Sequence, residues 1–296
     1  MIVVTGGAGF IGSVLAAHLN QRGHDDLLIV DHLGTGEKWK NLVGVRFVEY
    51  LDKSEFLPRL EAGAFNGQIA AIFHLGACSA TTQHDADYLI ENNYRYTERI
   101  ARWWERHQEV RFIYASSAAT YGDGKQGYDD DQSSLTRLRP LNMYGYSKHL
   151  FDLCAQRNGW LDRIVGLKFF NVFGPNEYHK GDMKSVIAKA FPQLKAGEPM
   201  RLFASHRSDY GNGEQKRDFI YVKDAVAMML FFLENPTIGG IFNIGTGCAR
   251  TWNDVARALF LALNKPERIE YVPMPELLRE KYQYFTQASM EKIRSV

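Results

Sequence analysis

Met1-Ile-Val-Val-Thr-Gly-Gly-Ala-Gly-Phe-Ile-Gly12 opens the chain. The β-branched run Ile2-Val3-Val4 reads as a buried strand. Glycines stand at positions 6, 7, 9 and 12, and an apolar helical pattern continues through Leu15 and Leu19. Strand, glycine turn and helix, in that order, are the setting a dinucleotide-binding fingerprint needs. Gly6 permits the tight turn, Gly9 lets the backbone approach a pyrophosphate, and Gly12 lets the helix lie close on the strand. The helix N-terminus then offers unpaired N–H groups and the positive end of its dipole to phosphate. The next strand, Leu27-Leu28-Ile29-Val30, ends in Asp31, 19 positions after Gly12, close to the ~20 expected of a ribose-binding acid.

Composition narrows the rest. At 296 residues the chain is long enough for a large core and two subdomains. With 45% hydrophobic and 23% charged residues it has the make-up of an ordinary water-soluble globular protein. A formal net charge of +1 gives no electrostatic pull toward nucleic acid or an anionic membrane. Cys78, Cys154 and Cys248 are widely separated, with no CxxC and no Cys/His cluster, so no metal site is expected and a reducing cytoplasm is. With a strand expected at Ile2 there is no room for a signal peptide, and no apolar run approaches the ~18 residues of a membrane span.

Further strands alternate with helices. Arg46–Tyr50 is predicted as a third strand ending at Asp52-Lys53, with Ser54 able to cap the following helix. Ala70–His74 is a fourth, running into the small-residue turn Gly76-Ala77-Cys78-Ser79, which suits backbone approach to a ligand. Asp85 to about His107 is predicted as one long helix, and Val110–Ser117 as a fifth strand. This alternation implies right-handed crossovers and a doubly wound parallel α/β sheet, whose ligands lie beyond the carboxyl ends of the strands. The acidic stretch from Gly124 to Pro140, with Asp129-Asp130-Asp131, reads as a solvated surface loop. Ile164–Phe170 is a sixth strand, leading to Asn171-Val-Phe-Gly-Pro175; Asp182 is expected to cap a helix reaching Lys195, and Thr251 one reaching Leu263. Residues 1–170 with about 218–244 are expected to hold the dinucleotide, and 171–217 with about 245–296 the substrate.

Chemistry is suggested by Asn142-Met-Tyr144-Gly-Tyr-Ser-Lys148, with Asn142 as cap. Tyr144 and Lys148 are four apart and share a helix face. In isolation such a pair would be packing. After a cofactor fold and a strand ending in Ser117 it reads as a proton-exchange site. A cation beside the phenol favours phenolate, lowering a pKa otherwise near ~10. Tyr144 could exchange a proton with a substrate hydroxyl during hydride transfer, with Ser117 donating to the same oxygen.

Thr5-Gly6-Gly-Ala-Gly9-Phe-Ile-Gly12, Ser117 with Tyr121-Gly122, Tyr144-x-x-x-Lys148, Asn171-Val-Phe-Gly-Pro175 and Arg217-Asp-Phe-Ile-Tyr-Val222 together resemble the extended short-chain dehydrogenase/reductases. Phe73-His-Leu-Gly-Ala-Cys-Ser79, Tyr114–Gly122, Glu177-Tyr-His-Lys-Gly181 and Tyr282-Gln-Tyr-Phe-Thr-Gln287 are similar to one branch of that class, the ADP-L-glycero-D-manno-heptose 6-epimerases. The similarity runs through nearly the whole chain. It implies oxidation of C6″ of ADP-D-glycero-D-manno-heptose to a ketone and re-reduction on the other face by a retained cofactor, supplying heptose for the lipopolysaccharide core.

By the same resemblance, Tyr144 and Lys180 would exchange protons on opposite sides of the sugar, and Lys148 would hold the nicotinamide ribose. A lone loop lysine such as Lys180 would otherwise be taken for a solvated charge. Gly6, Gly9, Phe10, Ile11, Gly12, Asp31, His32, Lys38, Lys53, Leu75, Gly76, Ala77, Cys78, Ser79, Asn92 and Val172 would line the cofactor. Ser117, Asn171, Asp182, Lys189, Phe203, Ala204, Ser205, His206, Arg217 and Tyr282 would contact substrate, with Arg217 as the pyrophosphate partner rather than a surface ion pair with Asp218. Asp31 alone argues for NAD, because a carboxylate accepts from a 2′-OH and repels a 2′-phosphate. Lys38 and Lys53 offset that repulsion, and the resemblance favours NADP. It also implies a homopentamer. The alternatives are another nucleotide-sugar epimerase, such as a UDP-hexose 4-epimerase, and a non-catalytic NAD(P)-binding regulator. Ala118-Ala119 after Ser117 argues against a dehydratase, and an intact Ser117, Tyr144 and Lys148 argue against a regulator.

Overall fold

The computed structural model describes residues 1–279 and 282–296. In chain order the elements are β1 (Ile2–Thr5), α1 (Phe10–Gln21), β2 (Leu27–Asp31), β3 (Glu49–Asp52), α2 (Lys53–Glu61), β4 (Ala71–His74), α3 (Ala86–Leu89), α4 (Tyr96–Trp104), β5 (Arg111–Ser117) and α5 (Met143–Arg157). They continue with β6 (Val165–Phe169), β7 (Asn171–Phe173), α6 (Val186–Lys195), β8 (Met200–Phe203), β9 (Lys216–Tyr221), α7 (Val222–Glu234), β10 (Gly240–Ile244), β11 (Ala249–Thr251), α8 (Trp252–Ala262) and β12 (Ile269–Val272).

Seven strands form one sheet in the order β3-β2-β1-β4-β5-β6-β10, with every neighbouring pair parallel. The order reverses direction between β1 and β4, so a crevice opens there beyond the strand ends. This is the doubly wound α/β fold expected from the strand–helix alternation. Alternation along β1 sends its residues into two apolar layers. Val3 joins Phe56 of α2, Trp103 of α4 and Phe151 of α5, while Ile2 and Val4 join Leu15 of α1 and Met229 of α7. Both faces of the sheet are therefore covered, which is why its strands read as continuous apolar runs.

The glycine turn owes its shape to two close approaches. Gly6 has φ 69°, a left-handed conformation open to glycine, and a Cβ there would meet Gly76 N at 2.7 Å. A Cβ on Gly12 would lie 2.2 Å from the Gly6 carbonyl oxygen, so α1 can rest on the turn only without a side chain there.

Two smaller sheets, β11-β9-β7 and β12-β8, accompany the large one, with β7 following directly on β6. Ala190 and Leu194 of α6, Leu202 of β8, and Val255 and Phe260 of α8 form their own apolar cluster. Among the described residues, no helix is long and apolar enough to cross a membrane.

Several expectations are corrected. The third strand begins at Glu49, not Arg46, because the Arg46 N–H is taken by Asn20 Oδ1 at 2.7 Å. Asp52 rather than Ser54 caps α2, accepting the Ser54 N–H at 2.9 Å. The long helix is interrupted by a π turn, Ile90–Arg95. It turns buried Asn93 inward, where its side chain accepts from Cys78 N–H at 2.8 Å and donates to Ser147 Oγ at 3.0 Å. Ser185, not Asp182, caps α6: Asp182 lies in the preceding 3₁₀ turn Tyr178–Met183, which kinks at Gly181 with φ 52°, and the Ser185 hydroxyl accepts the Ala188 N–H at 3.1 Å. The acidic stretch is not simply a solvated loop: Asp130 is buried and accepts the Asn243 N–H at 2.7 Å. Nearby, Tyr128 packs its ring on Tyr121 and Phe170.

Candidate active site

The crevice beyond β1 and β4 holds a cleft of about 420 Å³. It is lined by Gly6, Gly9, Phe10, Ile11, Gly12, Asp31, His32, Lys38, Lys53, Leu75, Gly76, Ala77, Cys78, Ser79, Asn92, Tyr144, Lys148 and Lys180. The structure thus brings together the whole predicted cofactor set except Val172. That residue lies in β7 and packs against the apolar layer of α1 and α7 instead.

The cradle suits a dinucleotide. Gly9 caps α1 in extended conformation without a side-chain hydrogen bond, leaving the helix N-terminus to a ligand. Asp31 is buried; its Oδ2 accepts the Ala8 N–H at 2.9 Å and its Oδ1 the His32 N–H at 2.7 Å. The acid so positions the glycine loop, and Lys38 pairs with it. Lys53 Nζ donates to Asn92 Oδ1 at 2.5 Å. His32 Nδ1 meets Asp52 Oδ2 at 2.9 Å, and hydrogen bonds from Ser54 and then His32 hold the Asp52 carboxyl down at about 2.

Asn142 caps α5, accepting the Gly145 N–H at 2.8 Å, and this start sets Tyr144 and Lys148 against β5. Lys148 is buried and donates to the Ala115 carbonyl at 2.8 Å. Burial lowers its pKa to about 8, opposed by the charge of Asp152 one turn further along α5. For Tyr144 the sequence expectation is reversed. Burial pushes the phenol above its ordinary value, and the opposing influence is a hydrogen bond with the Ser117 side chain, not the Lys148 cation. The lysine's proton is directed to the β5 carbonyl, so desolvation governs the phenol.

A second recess of about 210 Å³ adjoins the cleft, lined by Ser117, Tyr144, Asn171, Phe169, Gln283 and Thr286 among others. Tyr144 and Phe169 belong to both, so the phenol stands where cleft and recess meet. Lys180 sits in the 3₁₀ turn Tyr178–Met183, its Nζ 5.4 Å from the centre of the Phe10 ring. Burial lowers its pKa, opposed by Glu177. Buried Glu177 in turn accepts from Gly174 N–H, Ser185 N–H and the Ser185 hydroxyl, which fixes the loop.

Arg217 is buried and among the described residues has no carboxylate partner; the Asp218 carboxylate is turned to the Thr246, Gly247 and Ala288 N–H groups instead, so the surface pair with Asp218 is absent. It donates to the Lys216 and Gln283 carbonyls and lies 5.1 Å from the Tyr282 ring and 5.9 Å from Trp252. Phe203 meets the Tyr282 ring edge-on at 6.3 Å. Ser205 is tied by its N–H to Asn212 at 2.9 Å, Ala204 is half-buried beside it, and exposed His206 hydrogen-bonds the Tyr284 hydroxyl through Nδ1 at 2.8 Å. Asp182 and Lys189 are exposed and line neither recess, because the cap shift to Ser185 leaves Asp182 outside α6 and Lys189 on its outer face.

Sequence reasoning passed over Thr5, Tyr88, Tyr96, Ser116, Phe169, His179 and Gln283, which the structure places on these walls. Thr5, Ser116, His179 and Gln283 stood within the stretches that carry the resemblance, whereas Tyr88, Tyr96 and Phe169 carried no such signal.

The model of the NAD dependent epimerase/dehydratase family matches residues 2–245. The chain is 55% identical over 294 residues to the ADP-L-glycero-D-manno-heptose-6-epimerase of Nitratidesulfovibrio vulgaris (strain DP4), covering 99% of this chain and 91% of that one. With its namesake from Fusobacterium nucleatum subsp. nucleatum it shares 45% identity over 305 residues, covering 100% and 92%. The crystal structure of Helicobacter pylori ADP-L-glycero-D-manno-heptose-6-epimerase superposes with a TM-score of 0.81 at 28% identity, over 98% of this chain and 87% of that one. The UDP-glucose 4-epimerase of Thermus thermophilus, in complex with NAD, superposes at 0.78 and 25% identity, over 99% and 92%. Fold, cradle and sequence agree: the chain belongs to the NAD dependent epimerase/dehydratase family, in the branch of the ADP-L-glycero-D-manno-heptose-6-epimerases.

Proposed function

We infer that this chain inverts C6″ of ADP-D-glycero-D-manno-heptose to give ADP-L-glycero-D-manno-heptose. The observation that carries the reading is Tyr144 at the meeting of two recesses, one shaped for a dinucleotide and one beside it for a sugar. A bound nicotinamide dinucleotide supplies the hydride acceptor at C6″ and later the hydride donor. Tyr144, hydrogen-bonded with Ser117, takes the hydroxyl proton in its phenolate form, a stronger base for the burial that raises its pKa, as the C6″ carbon is oxidised to a ketone. Ser117 hydrogen-bonds the same oxygen. The ketone then turns its other face to the cofactor, and Lys180 exchanges the proton there. Lys148 holds the nicotinamide ribose. Arg217, which among the described residues has no carboxylate partner and lies against the Tyr282 ring, receives the pyrophosphate of the substrate. Asn171 lines the sugar recess, and Phe203 to His206 close the nucleotide end. Residues 1–170 with about 218–244 serve the cofactor, and the remainder serves the substrate.

We read the cofactor as NADP, supported by Lys38 beside Asp31 and Lys53 in the same cleft, two cations for a 2′-phosphate. The mass of the nucleotide released on denaturation tests this, and NAD alone would overturn it. We read the chain as a cytoplasmic homo-oligomer, a pentamer by resemblance; exposed Trp39, Val43 and Val48 along one stretch suit contact between copies, and sedimentation measures its size. The decisive experiment is incubation with ADP-D-glycero-D-manno-heptose followed by NMR of the C6″ configuration. Inversion is expected. No conversion, with activity on a UDP-hexose instead, would replace the reading with that of a 4-epimerase.

A further inference from the structure

The segment that carries Lys180 is fastened to the glycine loop of the large sheet. Asn41, in the 3₁₀ turn Lys38–Leu42, aims its side-chain amide at three acceptors. These are the Ala8 carbonyl at 3.0 Å, the Asn176 carbonyl at 3.0 Å and His179 Nδ1 at 3.1 Å. Two amide hydrogens serve three acceptors, so one is shared. Burial, then Lys38 and Lys180, hold the His179 ring below its ordinary pKa, which suits Nδ1 to accepting.

Asn176 ties back in the other direction, its Nδ2 donating to Ser13 Oγ in α1 at 3.0 Å. Its backbone stands at φ 73°, in the left-handed region that a residue with a side chain keeps only when its surroundings hold it there. The carbonyl and the side chain of this one residue thus reach two different elements that border the cofactor cleft, the turn Lys38–Leu42 and α1. Lys180 then lies over Phe10, the first residue of α1.

We propose that Asn41 and Asn176 are positioning residues that latch the Lys180 segment onto the glycine loop, so that the lysine is set by the element that seats the cofactor. The inference rests on the reading of Lys180 as a proton-exchanging residue. Inversion supplies its rationale: both faces of one carbon must meet the same nicotinamide. The second proton-exchanging group therefore needs a fixed place relative to the cofactor.

The test compares Asn41→Ala, Asn176→Gly and Lys180→Met with the wild type. Asn176→Gly keeps the left-handed backbone accessible and deletes only the tie to Ser13. Turnover per bound cofactor is expected to fall about tenfold or more in both asparagine variants, the order of loss that follows from misplacing a reacting group. KM is expected to stay within about twofold, since the substrate's own contacts are untouched. Hydrogen–deuterium exchange of residues 178–183 is expected to quicken in both variants. Turnover and exchange both as in wild type, while Lys180→Met is crippled, would overturn the latch alone. Wild-type turnover in Lys180→Met would instead overturn the reading of Lys180. A fall in turnover traced wholly to lost cofactor would also overturn the latch.

Discussion

Tyr144 is buried by the elements that set it where cleft and recess meet, and burial makes its phenol a weaker acid. Ser117 is the group in hydrogen-bond range that works against this. The pair therefore acts as a unit, and Tyr144→Phe is expected to lower turnover by about 10²–10⁴-fold, the usual range for a lost acid–base group, with bound cofactor unchanged. Steady-state rates together with the absorbance of retained nucleotide check this; full turnover in the variant would end the proton-transfer role. Lys148 offers a separate measurement. Its pKa falls from 10.5 to about 8 on folding, because burial disfavours its charge. Between those values the unfolded chain holds a proton that the folded one lacks, so stability rises with pH across that window. Below about 8 the folded protein bears the whole cost of burying the charge. Lys148→Met is accordingly expected to be more stable than wild type at pH 7, by a few kcal/mol, with the gap closing toward pH 10. Urea unfolding of both proteins at several pH values measures it, and a gap independent of pH would refute the assignment.

At the scale of elements, α5 is held to β5 and β6 by a buried polar network. Asp152 of α5 accepts from Tyr114 at 2.9 Å and Ser116 at 2.7 Å, and pairs with Lys168 of β6 at 3.2 Å, both charges fully buried. Lys168 also donates to Thr120 at 2.6 Å and lies 4.6 Å from the Tyr121 ring. Removing one partner strands the other, so Asp152→Asn is expected to cost about 3–5 kcal/mol, and adding Lys168→Met is expected to recover part of that. Denaturant unfolding of the two single variants and the double variant tests the coupling. Additive losses would show that the two groups do not share an environment. This network also shows where sequence reading stops. Thr251 was legible as a cap because its partner lies three residues away, and the structure closes the capping box with Asp254. The glycines, Asp31 and the Tyr144–Lys148 spacing were legible for the same reason, since their physics is local. Asp130, by contrast, looks like one of three solvated acids until Asn243, far away in β10, supplies its N–H. The π turn that sends Asn93 to Cys78 and Ser147 left no trace in apolar spacing, because one extra residue per turn resembles the scatter of any amphipathic helix. Lys180 was reachable by resemblance alone, for its place depends on Asn41, in a turn far away in the sequence.

Across the whole molecule, the recess beside Ser117 and the proposed nucleotide end of the substrate site are joined by the stretch from Tyr282 to Ala288. Gln283 donates to the Gly122 carbonyl just past β5, while its own carbonyl accepts from Arg217 of β9. The Lys216 N–H reaches the Tyr284 carbonyl at 2.9 Å, and the Thr286 N–H reaches the Lys216 carbonyl at 3.2 Å. Tyr128 adds a hydrogen bond to the Phe285 carbonyl. The anchor of this arrangement is Asp218, which is fully buried. It accepts from Thr246 N–H at 2.8 Å, the Thr246 hydroxyl at 2.6 Å, Gly247 N–H at 2.8 Å and Ala288 N–H at 3.0 Å. In Asp218→Asn one acceptor becomes an NH₂ facing N–H groups. The variant is expected to lose about 1–3 kcal/mol, the cost of a buried donor left unpaired. The loss falls where the chain returns across β9, so Tyr282, Gln283 and Arg217 loosen together while Gly6–Gly12 and Asp31 stay in place. KM for the nucleotide sugar is therefore expected to rise about tenfold, with turnover at saturation and cofactor content within about twofold of wild type. Cofactor released in step with the rise in KM would show instead that the C-terminal stretch braces the whole crevice rather than the substrate end alone.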